Sequence, residues 1–241
     1  MDMSLSEEQR LIQHTAREFA EREVSPVARA LDAESRWPHA LVTRLGELGM
    51  MGVAIPEAYG GVGADYVSYA LAIEEISAAC ASLGVIMSVN NSLACAPLLH
   101  YGTEDQKQQY LRPMAAGVLL GCFGLTEPAS GSDASHMETV AEQEGDAWRI
   151  NGSKNWITNG PHADVMVMFA ATDRQLGARG VTAFIVPKDT PGFSRHAPDA
   201  KLGIHAAHSC TVFFDNCRIP KACQLGKEGE GFKIAMATLD A

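Results

Sequence analysis

The sequence predicts an α+β multidomain chain: an all-helical N-terminal domain over residues 1–118, a β-barrel-like middle domain over 119–228, and the start of a C-terminal helical domain over 229–241. Three observations predict it. Apolar residues recur at helical spacing through the first half. From about residue 120 the pattern changes to short β-branched and aromatic runs between Gly, Pro, Asp and Asn, and helical spacing returns after Gly229 and Gly231. With 241 residues, 46% of them hydrophobic and 20% charged, the chain can bury a sizeable core.

The elements follow in order. Ser6-Glu7-Glu8-Gln9 reads as a capping box, and Ile12, Ala16, Phe19 and Ala20 behind it predict a first helix. A second is predicted from Pro38, suited to a first helical position, to Gly49, suited to the residue past the end, with Leu41, Leu45 and Leu48 on one stripe. Residues 66–81 and 86–100 are apolar around most of the helical circumference, which predicts two buried helices. Thr103-Glu104-Asp105-Gln106 repeats the capping box. Further on, Asn151-Gly152 stands between strand-like flanks and predicts a hairpin turn. Val165 to Ala171, Val181 to Val186 and Thr211 to Phe214 predict strands. Phe232, Met236 and Leu239 predict a last helix, which has no glycine cap and carries Asp240 at its C-terminal end, where the macrodipole disfavours an anion. An intact helix is expected to continue past Ala241.

Charge and cysteine usage narrow the function classes. A formal net charge of −10 disfavours binding to nucleic acid or to anionic membranes, which depends on Lys and Arg neutralising phosphate. The six cysteines are scattered without a C-x-x-C pair, as expected of reduced thiols. Residues 1–30 show no signal-peptide or transit character and no apolar run reaches membrane-spanning length, so a cytoplasmic location is expected, or the mitochondrial matrix if a transit peptide has been removed. Gly61-Val62-Gly63 lacks a third glycine and a preceding strand, which argues against a dinucleotide fingerprint. His205 and His208 have a metal-like spacing but read as loop with no neighbouring carboxylate or thiol; no metal is expected, and a surface role is.

Two segments carry the chemistry. In Asn155-Trp156-Ile157-Thr158-Asn159, strand alternation puts Trp156 and Thr158 on one face and Ile157 on the other, presenting an indole plate and a hydroxyl together. Cys122-Phe123-Gly124-Leu125-Thr126-Glu127-Pro128-Ala129-Ser130-Gly131-Ser132-Asp133 is a turn with hydroxyls at Thr126, Ser130 and Ser132, where Gly131 lets backbone N–H groups approach a pyrophosphate. Taken singly, a Trp in a strand is more often core and a Thr-Glu-Pro turn is more often only a turn.

Together these segments resemble the acyl-CoA dehydrogenases, nearest the short-chain (butyryl) branch. Ala54-Ile55-Pro56-Glu57-Ala58-Tyr59-Gly60-Gly61, Val85-Ile86-Met87-Ser88-Val89-Asn90-Asn91 and Gly229-Glu230-Gly231-Phe232-Lys233-Ile234 extend the resemblance in the family's order. It implies FAD as cofactor, acyl-CoA as substrate, electron-transfer flavoprotein as acceptor and, for the intact protein, a tetramer. It implies that Phe123, Leu125, Thr126, Gly131, Ser132, Trp156, Ile157 and Thr158 contact FAD, with Trp156 over the ring face away from substrate and Thr158 near N5. Ser132 and Asp240 are implied on the acyl-CoA side. Glu127 is assigned to the cofactor loop, and the base is implied beyond Ala241, so this chain alone is expected to be inactive. Departures are Ala129 in place of a usual glycine, Ala134-Ser135-His136 in place of a small run, and His205 in place of arginine. If that turn needs positive φ, Ala129 carries strain. The alternatives are an acyl-CoA oxidase and a non-catalytic flavin- or acyl-CoA-binding module.

Overall fold

A computed structural model describes residues 4–240. The first helix, α1 (Glu7–Phe19), opens on the predicted capping box: Ser6 Oγ accepts from Gln9 N at 3.1 Å, and Ser6 N donates to Gln9 Oε1 at 2.9 Å. A π-helical turn over Ala20–Val24 carries it into α2 (Ser25–Ala33). Next, α3 (His39–Glu47) starts one residue after Pro38, and Gly49 takes φ 73°, a left-handed conformation that costs glycine little. Leu41 and Leu45 are buried as their spacing predicts.

The two predicted apolar helices are α4 (Tyr66–Ala79) and a longer unit made of α5 (Ala81–Ser88), a π-helical stretch (Val89–Cys95) and α6 (Ala96–Tyr101). The second begins at 81, not 86, because only Cys80, with φ −154° and ψ 100°, breaks the chain after α4. Within Ala81–Tyr101, long enough to cross a membrane, an 18-residue window reaches a mean hydropathy of 1.4, contrary to the sequence reading, but 67% of that window is buried inside the fold.

The π stretch has a visible cause in two buried asparagines. Asn91 Nδ2 donates to Met87 O at 2.9 Å, competing with the helical ladder, and to Met50 O at 3.0 Å. Asn90 Nδ2 donates to Met51 O at 2.9 Å, and its Oδ1 accepts from Gly121 N at 2.8 Å, tying the helix to the first strand. Short helices α7 (Glu104–Gln106) and α8 (Arg112–Ala115) close the helical part. The Thr103 capping box is present, and Gln106 then reaches Ala222 O and Gln224 O at 2.8 and 2.7 Å.

Among the described residues eight strands form one sheet: β1 (Gly121–Gly124), β2 (Val140–Glu144), β3 (Ala147–Thr158), β4 (Val165–Ala171), β5 (Val181–Pro187), β6 (Phe193–Arg195), β7 (Ser209–Pro220) and β8 (Gln224–Leu225). Their order is β6-β7-β3-β2-β4-β5-β8, with β1 parallel to β4. Along β4, Val165, Val167 and Phe169 pack with the helices while Met166, Met168 and Ala170 pack with Trp148, Ile150, Val212 and Phe214 from β3 and β7. The sheet therefore wraps round an inner cluster and presents an outer apolar face to the helices, which is why β4 is buried on both sides. The last helix, α9 (Gly231–Leu239), packs on β5 and β4 through Ile234 and Ala235.

Asn151-Gly152 is not a hairpin turn. β3 runs straight through it, and the β2–β3 hairpin turns at Gly145-Asp146, between the paired Glu144 and Ala147. Gly152, at φ 142°, sits instead at a register shift against β7, where its hydrogen faces Thr139. Glycine was needed for close approach, and the two-residue turn signal read it as reversal.

The assignment of His205 and His208 to a plain surface is also corrected: both lock the two parts of the chain together. His205 bonds Asp32, Nδ1 to Oδ2 at 3.1 Å. His208 Nε2 must donate to Ser35 O at 2.8 Å, so its Nδ1 accepts from His162 Nε2, also at 2.8 Å, while Trp37 stacks on His162 at 4.0 Å. Burial, with His208 and Arg195 nearby, pushes the His162 imidazole down to about 4. Its folded value thus lies below the unfolded one, so its contribution is present above about pH 6.5 and is lost as pH falls toward 4. Urea midpoints at pH 7.5 and 5.0 are expected to converge in His162→Gln relative to the parent; because the ring is only partly covered, the effect is about 1 kcal/mol or less.

Candidate functional site

A groove of about 490 Å³ opens where the end of β3, the turn after β1, the π stretch and α9 meet. The first side of the groove follows from β1. Cys122 points into the barrel interior, so alternation turns the half-buried Phe123 outward, where it packs at 5.0 Å on Phe169. Leu125 and Thr126 continue that wall, and Gly131 and Ser132 border it from the turn. The turn is closed by Glu127 N donating to Ser130 O at 2.8 Å and by Ser130 Oγ donating to Asp133 O at 2.8 Å. Neither Ala129 nor Ala134, Ser135 or His136 has positive φ, so the substitutions in this turn carry no backbone strain.

The second side comes from β3. Between Lys154 and Ile157 the register against β7 shifts, so that Asn155 and Trp156 together oppose the single residue Thr211. Trp156 takes φ 61°, a rare conformation for a bulky residue, and stands 65% exposed at the groove. The bulge changes the alternation: Lys154 is turned into the interior while Trp156 and Thr158 both line the groove. Ile157 also borders it, yet is only 2% exposed and packs in the inner cluster. Asn159 holds the end of this strand at φ 64°, its Nδ2 donating to Ile86 O and Gly121 O at 3.2 Å each. Among the described residues its buried Oδ1 has no partner.

All eight residues implied for the cofactor, Phe123, Leu125, Thr126, Gly131, Ser132, Trp156, Ile157 and Thr158, therefore line one cavity. Asp240 does not; it is exposed past the end of α9, while Leu239 before it reaches the groove. Sequence reasoning placed Val89, Leu93, Phe232 and Met236 only in helices, and the structure brings them to the groove as its apolar wall. The signal was there in the all-round apolar character of the helix near residue 90.

Electrostatics separate the carboxylates. Glu127 is 3% exposed and bonded to Lys154 Nζ at 2.6 Å, to Glu138 N at 2.5 Å and to Thr139 N at 3.1 Å. Burial opposes its charge, but Lys154 and these donors outweigh it and hold the carboxyl below its usual range. Asp133 is the one carboxylate lining the groove among the described residues; Ser135 and His136 hold it low as well. Neither is suited to accept a proton near neutral pH.

Residues 6–118 match the acyl-CoA dehydrogenase N-terminal domain and residues 122–217 the acyl-CoA dehydrogenase middle domain. The mitochondrial short-chain specific acyl-CoA dehydrogenase of Mus musculus is 49% identical over 238 residues, covering 99% of this chain and 58% of that protein. A structure described as the electron transferring flavoprotein of Acidaminococcus fermentans contains a chain that superposes with a TM-score of 0.98 at 46% identity, covering all of this chain and 63% of that one. A glutaryl-CoA dehydrogenase from Mycobacterium smegmatis in complex with FADH2 superposes with a TM-score of 0.91 at 36% identity, covering 98% and 59%. The chain thus spans about three fifths of the length of these relatives. With both domains matched in order, the helical part and the wrapped sheet in place and the groove between them, the chain belongs to the acyl-CoA dehydrogenase family.

Proposed function

We propose that this chain forms the FAD-holding part of an enzyme that desaturates short-chain acyl-CoA thioesters between Cα and Cβ and passes the electrons to an electron-transfer flavoprotein. The observation that carries the reading is a strained, exposed Trp156 and a Thr158 hydroxyl presented into one groove that ends on a hydroxyl-rich turn. Backbone strain of this kind is kept where a ligand uses it. The chain's residues fit the cofactor in a second respect. A Cβ added at Gly131 would meet only Thr126 Cγ2, at 4.0 Å, so no protein atom requires glycine there. A diphosphate approaching the backbone does.

When bound, FAD supplies the hydride acceptor. The chain's own residues bind and orient it. Trp156 would cover one ring face and keep water from it, the Thr158 and Thr126 hydroxyls would bond its polar edge, and Phe123 and Leu125 would exclude solvent. Phe232, Met236 and Leu239 offer apolar surface for a short acyl chain, with Ser132 near the acyl-CoA. A base for the α-proton is not among the groove carboxylates. We place it outside residues 1–241, together with the surface that makes the family's tetramer, and we place the enzyme in the bacterial cytoplasm or the mitochondrial matrix.

Two measurements test this. Purified chain mixed with FAD is expected to retain flavin absorbance after gel filtration, and Trp156→Ala with Thr158→Ala is expected to abolish it; equal retention by both proteins refutes the site. Turnover of butyryl-CoA by the FAD-loaded chain, followed with an artificial electron acceptor, is expected at background, and substantial turnover would place the base inside the chain. Gly131→Ala separates cofactor contact from folding: the melting temperature is expected to stay within about 2 °C, since the space is open, while flavin affinity falls about tenfold.

A further inference from the structure

Two interior groups near the groove take no part in the function proposed above. Lys154 is 0% exposed, an unusual burial for an ammonium, and its charge is met by Glu127 rather than by water. Its Nζ donates to Glu127 Oε1 at 2.6 Å and to Leu125 O at 3.2 Å. Glu127 Oε2 in turn accepts from Glu138 N at 2.5 Å, and both its oxygens accept from Thr139 N. Thr139 Oγ1 closes the circuit on Ser153 O at 3.1 Å, one residue before Lys154. Beside it, Asn155 N donates to Thr126 O at 2.8 Å. Two consecutive residues of β3 therefore grip two consecutive carbonyls of the cofactor turn, immediately before the bulge that lifts Trp156 out.

We propose that the buried Lys154–Glu127 pair is a positioning device that fixes the Leu125–Ser132 turn against the Trp156–Thr158 edge, and so sets the width and phase of the cofactor groove. The inference rests on the FAD reading above for its ligand, but its geometry is independent of it. A core of this size has no need of such a pair for stability, since well-packed apolar residues of similar volume do as well or better. What an ion pair adds is direction. An ammonium with a carboxylate and a carbonyl in reach has one arrangement that satisfies all three, whereas an apolar contact has many. The bulge needs that constraint, because Trp156 at φ 61° is held against its own backbone preference and relaxes if the neighbouring carbonyls shift. Lys154 and Glu127 touch no groove volume themselves, so they are positioning residues.

The test uses the full chain carrying Lys154→Met and Glu127→Gln together. The introduced carboxamide keeps an acceptor oxygen for Glu138 N and Thr139 N, and no charge is left unpaired. In the ligand-free protein, amide exchange is expected to speed at least tenfold in residues 125–132 and 155–158 while β4 and β5 keep their protection. With FAD, the dissociation constant is expected to rise at least tenfold and the visible flavin band to lose its resolved shoulders. Unchanged exchange in those segments with native FAD affinity overturns the proposal. Glu127→Asp keeps both charges and shortens the reach by one methylene, so it serves if the double variant does not fold. It is expected to weaken FAD at least threefold, and native affinity there also counts against the device. Failure of the parent chain to hold FAD would remove the cofactor reading alone, since the exchange measurement still decides this one.

Discussion

Lys154→Met is expected to cost about 3–5 kcal/mol of unfolding free energy at pH 7.5, the magnitude typical of stripping one partner from a buried ion pair. The loss arises on Glu127, left at 3% exposure with two backbone donors and no countercharge. In the parent, the carboxyl lies below its ordinary 4.5, so its contribution is present above that pH and fades as pH falls through the folded value. In the variant, burial without Lys154 raises the folded carboxyl above 4.5, and the sign reverses. Stability is then lost as pH rises through that value, because the charge must form in a dry site. The gap between parent and variant therefore widens from pH 4.5 to pH 7.5, and urea unfolding at the two values measures it. A gap that is equal at both, or below about 1 kcal/mol, would show that Glu127 finds another partner or water.

Gly152→Ala is the second large effect. A Cβ there would lie 2.7 Å from Thr139 Cα and 2.5 Å from Thr139 Oγ1, and the φ of 142° lies outside the range ordinary L residues adopt. Strain and overpacking together are expected to cost about 3–5 kcal/mol, a fall in melting temperature of about 6–20 °C for a chain of this size. The site also matters for the groove, since Thr139 N is a donor to Glu127. Gly145→Ala is the contrast. That glycine has φ 60° with open space around its Cβ position, so only the conformational penalty of about 1 kcal/mol remains. Similar melting temperatures for the two variants would return the hairpin turn to Asn151-Gly152, as the sequence pattern first suggests.

That contrast marks where reading the sequence worked and where it did not. Val165 to Ala171 was legible because seven consecutive apolar residues, valines, methionines, Phe169 and two alanines, between Asp164 and Thr172 have few other ways to be buried. The capping boxes at Ser6 and Thr103 were legible because their bonds close within four residues. Asn151-Gly152 misled because a glycine for close approach and a glycine for a turn are the same letter. What tells them apart is Thr139, a residue of the neighbouring chain segment. The apolar wall of the groove was hidden for a like reason: Val89 and Leu93 are separated from Phe232 and Met236 by more than a hundred residues, and only the packing of α9 on the sheet brings them together.

The Trp156–Thr158 edge divides most clearly between the two. Alternation alone gave the right pair on one face, but it also put Lys154 on that face, and the bulge is what separates them. The residue types in order thus determined most of the elements, which depend on local bonding and on period, and through the resemblance they carried the family and the eight cofactor-side positions of the groove, but not its apolar wall. Which glycine turns the chain, which lysine is buried and how the histidines join the two parts were decided by tertiary structure. Each of those turns on a contact between atoms far apart in the chain, and no local pattern contains the distance.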